Sequence, residues 1–135
     1  MCENADMHIA SLMEKHKHTE FQWGVFDCSQ FAAEALKTLH GFNISLPPYS
    51  SQKEARQVFK KRGGSFIDAL KGFGLIEQPA PMAKRGDLVT IKNDDAWGTA
   101  VALVVGLHAV CPSNMGLKHV PRDRWIASWG VPCQN

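Results

Sequence analysis

The residues Asp27-Cys28-Ser29-Gln30-Phe31-Ala32-Ala33-Glu34-Ala35-Leu36-Lys37-Thr38-Leu39-His40-Gly41 decide how the chain is read. Asp27 is a strong N-cap, because its carboxylate can accept from the free amides of a first helical turn. Gly41 suits the left-handed residue that ends a helix. Between them Phe31, Ala35, Leu36 and Leu39 recur at three- and four-residue spacing, and Ala32 and Ala33 allow close approach. The pattern predicts a central, buried helix, entered through the aromatic loop Phe21-Gln22-Trp23-Gly24-Val25-Phe26.

Outward from this helix the two sides differ. Residues 4–18 predict a helix on mixed apolar spacing, with positive charge in its last turn, where it suits the helix dipole. His8, His16 and His18 read as a solvated basic end rather than a metal site, because no carboxylate or cysteine joins them at ligand spacing. Residues 43–49, with Pro47-Pro48, predict a loop. Residues 51–62 predict a polar helix stopped by Gly63-Gly64, and residues 65–71 a short helix stopped by Gly72 and Gly74. Residues 78–81 (Gln-Pro-Ala-Pro) read as an extended linker. From Gly86 the period changes to that of strands, at 87–92, 99–106, 107–111, 116–120 and 125–129. Helices first and an antiparallel meander afterwards predict an α+β domain, with N-terminal helices packed on one face of a C-terminal antiparallel sheet of about five strands.

The composition sets bounds on this picture. The 135 residues are 44% apolar and 21% charged, with 15 Lys+Arg against 13 Asp+Glu and a net charge of +2. Disorder, collagen and coiled coil are excluded, and the length fits one domain. The small net charge gives no support for nucleic-acid binding. No cofactor-binding motif is present. The start, Met1-Cys2-Glu3-Asn4-Ala5-Asp6-Met7, lacks the basic-then-apolar order of a signal peptide, and no apolar run approaches the roughly 20 residues of a membrane span. The expectation is a product of a bacterial host's cytoplasm. The four cysteines, Cys2, Cys28, Cys111 and Cys133, have no zinc-site spacing and read as reduced thiols.

Cys28 stands apart because it is the first residue of the capped helix. Free amides and the helix dipole at that end favour a thiolate, and a thiolate is the nucleophilic form. The alternative is a small apolar residue tucked against the sheet. A nucleophile also needs a general base within hydrogen-bond reach.

Trp23-Gly24-x-x-Asp27-Cys28-Ser29-x-Phe31 at a helix start, followed by Lys84-Arg85-Gly86-Asp87-Leu88-Val89 opening a strand, resembles the NlpC-type superfamily of papain-like cell-wall endopeptidases. The ordered features that follow Cys28 resemble most a compact phage and prophage branch associated with tails. They are Tyr49 and Ala55, Gly63-Gly64, Gly86 to Val89, the apolar run 100–106, Ala109-Val110, Val120-Pro121, Trp125 and Trp129. The resemblance covers residues 21–130, leaving 1–20 as an N-terminal helical extension of one domain spanning 1–135.

The resemblance implies a papain-like fold with Cys28 at the nucleophile position, Asp27 as the acidic residue that caps its helix, and Gly86-Asp87 as the turn into the sheet. The superfamily's base is a His in a His-Val-Gly-Ile pattern, which falls here on Ala100. The third polar residue falls near Cys111 or Pro112. His108, at the hairpin turn beyond Gly106, is the nearest alternative base. His119 follows on the next strand, and His40 lies at the far end of the Cys28 helix. Of the four tryptophans, Trp23 and Trp97 are candidates to line a sugar or peptide groove; all four could equally be core or an interface with another subunit.

Two functions follow from the resemblance. One is a phage or prophage tail-tip or tail-assembly protein, located in the virion tail, that keeps the peptidase fold and binds other tail proteins. The other is an active cysteine endopeptidase or amidase that cleaves peptidoglycan stem peptides.

Overall fold

The computed structural model describes residues 5–60, 71, 72, 74–92 and 99–130. Among these residues three α-helices, α1 (Ala5–His16), α2 (Cys28–His40) and α3 (Gln52–Lys60), precede six strands. The strands are β1 (Ile76–Pro79), β2 (Leu88–Lys92), β3 (Thr99–Val104), β4 (His108–Ser113), β5 (Gly116–Pro121) and β6 (Trp125–Gly130). They form one antiparallel sheet in the order β1-β6-β2-β3-β4-β5. The fold class is therefore α+β, as the order of the sequence patterns predicts.

The α2 helix begins and ends where its sequence says it should. The Asp27 side chain accepts from the Gln30 amide at 2.9 Å, and Gly41 is left-handed at φ 69°. The Gly41 and Phe42 amides close the last turn onto the Lys37 and Leu36 carbonyls. Phe31, Ala32, Ala35, Leu36 and Leu39 are buried against Ile9 and Leu12 of α1, Ala55 and Phe59 of α3, and the sheet residues Leu88, Val101, Leu103, Val110 and Trp129.

Two expectations about the sheet are corrected. It has six strands rather than about five, because residues 76–79 form β1, which takes in the first half of the linker expected at 78–81. Pro79 is tolerated because β1 is an edge strand, paired to β6 alone. The strands are also not a simple meander. After β2 to β5 run in sequence, β6 returns to lie between β1 and β2.

Nor is the sheet apolar on one face only. Val89, Ile91, Ala102, Val104, Ala109, Cys111, Val120 and Trp125 form a second buried cluster. The run Ala100 to Val104 in β3 feeds both clusters alternately, as an apolar strand covered on both faces must. A register shift between Thr90 and Ile91 leaves Ile126 as an extra residue opposite β2. That bulge sends Trp125 and Trp129, four apart in sequence, to different clusters. Trp129 donates its indole N–H to Thr90 Oγ1 at 2.9 Å, and Trp125 donates to the Val120 carbonyl at 3.2 Å. Both tryptophans are core residues.

His16 also departs from expectation, being buried rather than part of a solvated basic end. Its ring stacks on Phe26 at 4.6 Å, and Nε2 meets Glu34 Oε1 of α2 at 2.6 Å. The short helix expected at 65–71 falls almost wholly outside the described residues, as do Gly63-Gly64, Trp97, Cys2 and Cys133.

His40, at the far end of α2, is buried, and its Nε2–H donates to the Gly86 carbonyl at 2.9 Å. Its Nδ1 has no hydrogen-bond partner among the described residues. The contact ties α2 to the turn before β2, where Asp87 Oδ2 accepts from the Lys84 amide at 3.0 Å. Burial holds the His40 pKa below its ordinary 6.5, because the charged ring would be poorly solvated there. The unfolded chain therefore takes up a proton at a pH where the native chain does not. Stability is full above about pH 7 and falls as the pH drops through 6.5 toward the lowered native value. Asp87 beside it is shifted up from 3.8 by burial, so its contribution has the opposite sign, in the window just above 3.8. Urea titration of the wild type and His40→Gln at pH 7.5 and 5.5 checks this. The wild type should lose stability relative to the variant at the lower pH; an unchanged difference between the two proteins would show that His40 has the same pKa folded and unfolded.

Candidate functional site

The site is built at the N-terminus of α2. The loop before the helix is closed by reciprocal hydrogen bonds between Gln22 and Phe26, of 3.0 and 2.8 Å. Phe26 enters the core, and Trp23 is half-buried with its ring edge-on to Phe21 at 5.0 Å. The loop turns at Gly24, which adopts φ +80° and lies against the chain at Tyr49. A Cβ there would stand 1.8 Å from the Tyr49 carbonyl oxygen, so the loop can approach this closely only with glycine.

Asp27 organises this corner. It is 2% exposed and accepts three hydrogen bonds. Oδ2 accepts from the Gly24 amide at 2.8 Å, and Oδ1 accepts from the Gln30 amide at 2.9 Å and from the Tyr49 hydroxyl at 3.1 Å. One carboxylate thus caps α2, fixes the loop ahead of it and anchors the segment that follows the helix. Burial, and then the negative charge of Asp27, push the Tyr49 phenol well above its ordinary range, so Tyr49 stays a donor.

Cys28 follows directly and is partly buried, packing against both apolar clusters. The second of these clusters contains Cys111, which is 4% exposed on β4. Ala100 packs against the same second cluster. The ladder between β3 and β4 is formed at Leu103–Val110 and Val104–Ala109, whereas β4 and β5 pair along six positions.

The electrostatics of the two sulfurs are shared. The hydrogen bond with Cys111, then burial and the Asp27 charge, push the Cys28 thiol well above its ordinary range. The same hydrogen bond from Cys28, helped by Lys118 and Arg124, lowers Cys111 against its own burial. Lys118 is the register partner of Cys111 on β5. Cys28 therefore keeps its proton at neutral pH, although its place on the helix dipole favours a thiolate.

The two candidate bases lie elsewhere. His108 and His119 are exposed and pack edge to face with each other, centroids 5.8 Å apart, across the β4–β5 hairpin. Their register places them on the face of Val110, opposite to that of Cys111. The groups that act on Cys28 are Cys111, Asp27 and Lys118. His40 is occupied at the other end of the helix. The meeting of Cys28 with Cys111 is what sequence reasoning did not reach; the one available sign was the place of Cys111 in an apolar strand expected to lie beside the helix.

Among the described residues no three His, Cys, Asp or Glu side chains gather as metal ligands, and no helix is long and apolar enough to cross a membrane. No curated protein matches the chain. A family model, described as a domain of unknown function (DUF6950), matches residues 2–131. That span takes in the aromatic loop, the capped helix and all six strands, and the chain belongs to the DUF6950 family.

Proposed function

We propose that this chain is a papain-like domain of the NlpC type that keeps the nucleophile position without its base. It serves a bacteriophage or prophage as a tail-tip or tail-assembly component, binding neighbouring tail proteins through the fold. The surroundings of Cys28 carry this reading. A papain-like peptidase needs an imidazole within hydrogen-bond reach of the thiol. The resemblance puts the triad at Cys28, at Ala100 and near Cys111 or Pro112, and Cys28, Ala100 and Cys111 gather at the second apolar cluster. Their convergence supports the fold, and their chemistry supports the loss of catalysis. An alanine cannot take a proton, and the Cys111 thiol shares its hydrogen bond with Cys28 in a way that raises the Cys28 pKa. Losing the base alone removes a factor of roughly 10² to 10⁴ in rate.

One observation favours the second reading, a peptidoglycan endopeptidase: Cys28 is the first residue of α2, the end of a helix at which the dipole favours a thiolate. Two measurements separate the readings. Iodoacetamide should alkylate Cys28 slowly, with an apparent pKa above the ordinary value of about 8.5. Purified protein should release no soluble fragments from peptidoglycan sacculi, and particles carrying Cys28→Ala should form and infect as the wild type does. Release of fragments that depends on Cys28 would establish the endopeptidase and overturn the tail-module reading.

A further inference from the structure

The end of the β4–β5 ladder away from its turn carries two histidines. His119 stands opposite Val110 and His108 opposite Pro121, so the two rings are diagonal neighbours on one face of the ladder. On that same face Val110 and Leu117 pack into the first apolar cluster, whereas both histidines are exposed. Their ring centroids are 5.8 Å apart. No hydrogen bond or ion pair engages either ring among the described residues, so water alone competes for their nitrogens. The cations adjoining them in sequence face the other way. Lys118 is the register partner of Cys111, in the second cluster, and Arg122 lies over the Trp125 ring of that cluster at 5.7 Å.

We infer that His108 and His119 form a surface site for one divalent transition-metal ion of the zinc type. Imidazole is a preferred ligand of such ions and not of Mg²⁺ or Ca²⁺. A Zn–N bond of about 2.0–2.1 Å puts each ring centroid about 3.2 Å from the ion, so two rings at the tetrahedral angle stand about 5.2 Å apart and two opposed rings about 6.4 Å. The observed 5.8 Å falls between these limits. A tetrahedral site needs the centroids to close by about 0.6 Å, which two exposed side chains achieve by turning about their torsions. Water fills the remaining positions, so the site is open, unlike a structural site closed by four protein ligands. The ion ties β4 to the edge strand β5 and stabilises the folded chain by mass action. The site rests on the hairpin alone and is independent of Cys28 and of the tail reading.

The test uses the full chain, reduced and free of chelator. Co²⁺, which takes tetrahedral nitrogen sites as Zn²⁺ does and is paramagnetic, is titrated into isotope-labelled protein and followed by NMR. The amide signals of residues 107–110 and 118–121 should weaken first. Calorimetry with Zn²⁺ should give one ion per chain. His108→Ala and His119→Ala should each weaken binding by about tenfold or more, since even the loss of a group that only orients a ligand costs that much. His18→Ala, at an exposed position just beyond α1, should bind as the wild type does. Signal loss centred on His8, His16 and His18, or on Cys28 and Cys111, would overturn the proposal. So would Zn²⁺ affinity unchanged in both alanine variants, or no binding at about 1 mM Zn²⁺. The wild-type titration locates the ion even where a variant folds poorly.

Discussion

Asp27→Ala is expected to lower folding stability by about 4 kcal/mol. The carboxylate is buried and accepts from the Gly24 amide, the Gln30 amide and the Tyr49 hydroxyl. Losing an N-cap costs about 1 kcal/mol, and each buried donor left without an acceptor costs about 1–3 kcal/mol. A domain of this size has about 5–15 kcal/mol in all, so the variant should sit close to its unfolding threshold. Tyr49→Phe is the internal comparison. It removes one donor while Asp27 keeps two, and should cost about 1 kcal/mol. Urea unfolding measures both, with a shift in midpoint at constant slope. An Asp27→Ala protein within about 1 kcal/mol of the wild type would show that the three hydrogen bonds do not hold this corner together.

Gly24→Ala should be nearly as damaging, for a steric reason. At φ +80° an added Cβ stands 1.8 Å from the Tyr49 carbonyl oxygen and 3.0 Å from its carbonyl carbon. Both are backbone atoms, so no side chain can swing aside. The loop must separate from the segment at Tyr49, and the Gly24 and Tyr49 hydrogen bonds to Asp27 go with it. A cost of about 3 kcal/mol or more follows, read as a fall of about 10 °C in thermal midpoint. An alanine variant melting within about 2 °C of the wild type would show that the loop has room to move.

Much of the fold was legible because its decisive signals are local. Asp27 and Gly41 mark the two ends of α2 by backbone chemistry alone, and the change of period at Gly86 marks where strands begin. The β1 strand was not legible. Its four residues are largely exposed, with no apolar alternation, and the prolines around 79–81 suggested a linker. Only the return of β6 makes those residues a strand. His16 was hidden in the same way. Its lysine and histidine neighbours suggested solvent, whereas its burial is created by Phe26 and Glu34, residues of a different segment.

The site divides along the same line. Asp27 as a cap could be read from its neighbours. That Tyr49 also binds it could not, because the contact depends on how the loop at 43–49 returns. The Ala100 position already showed that a base was missing from the strand where the resemblance put it. Which group meets Cys28 instead was not readable from spacing, since 28 and 111 are brought together only by packing α2 on the sheet.

The place of β6 between β1 and β2 governs the order in which the protein can be made. On the ribosome, β2 to β5 can zip into hairpins as each emerges, but among the described strands β1 pairs with β6 alone, and one side of β2 stays open until residues 125–130 leave the exit tunnel. The nascent chain therefore waits with an unpaired edge beside its apolar core, the state in which strands join other molecules. A message truncated before Trp125 yields a chain in which β1 has lost its neighbour and β2 has become an open edge of the sheet.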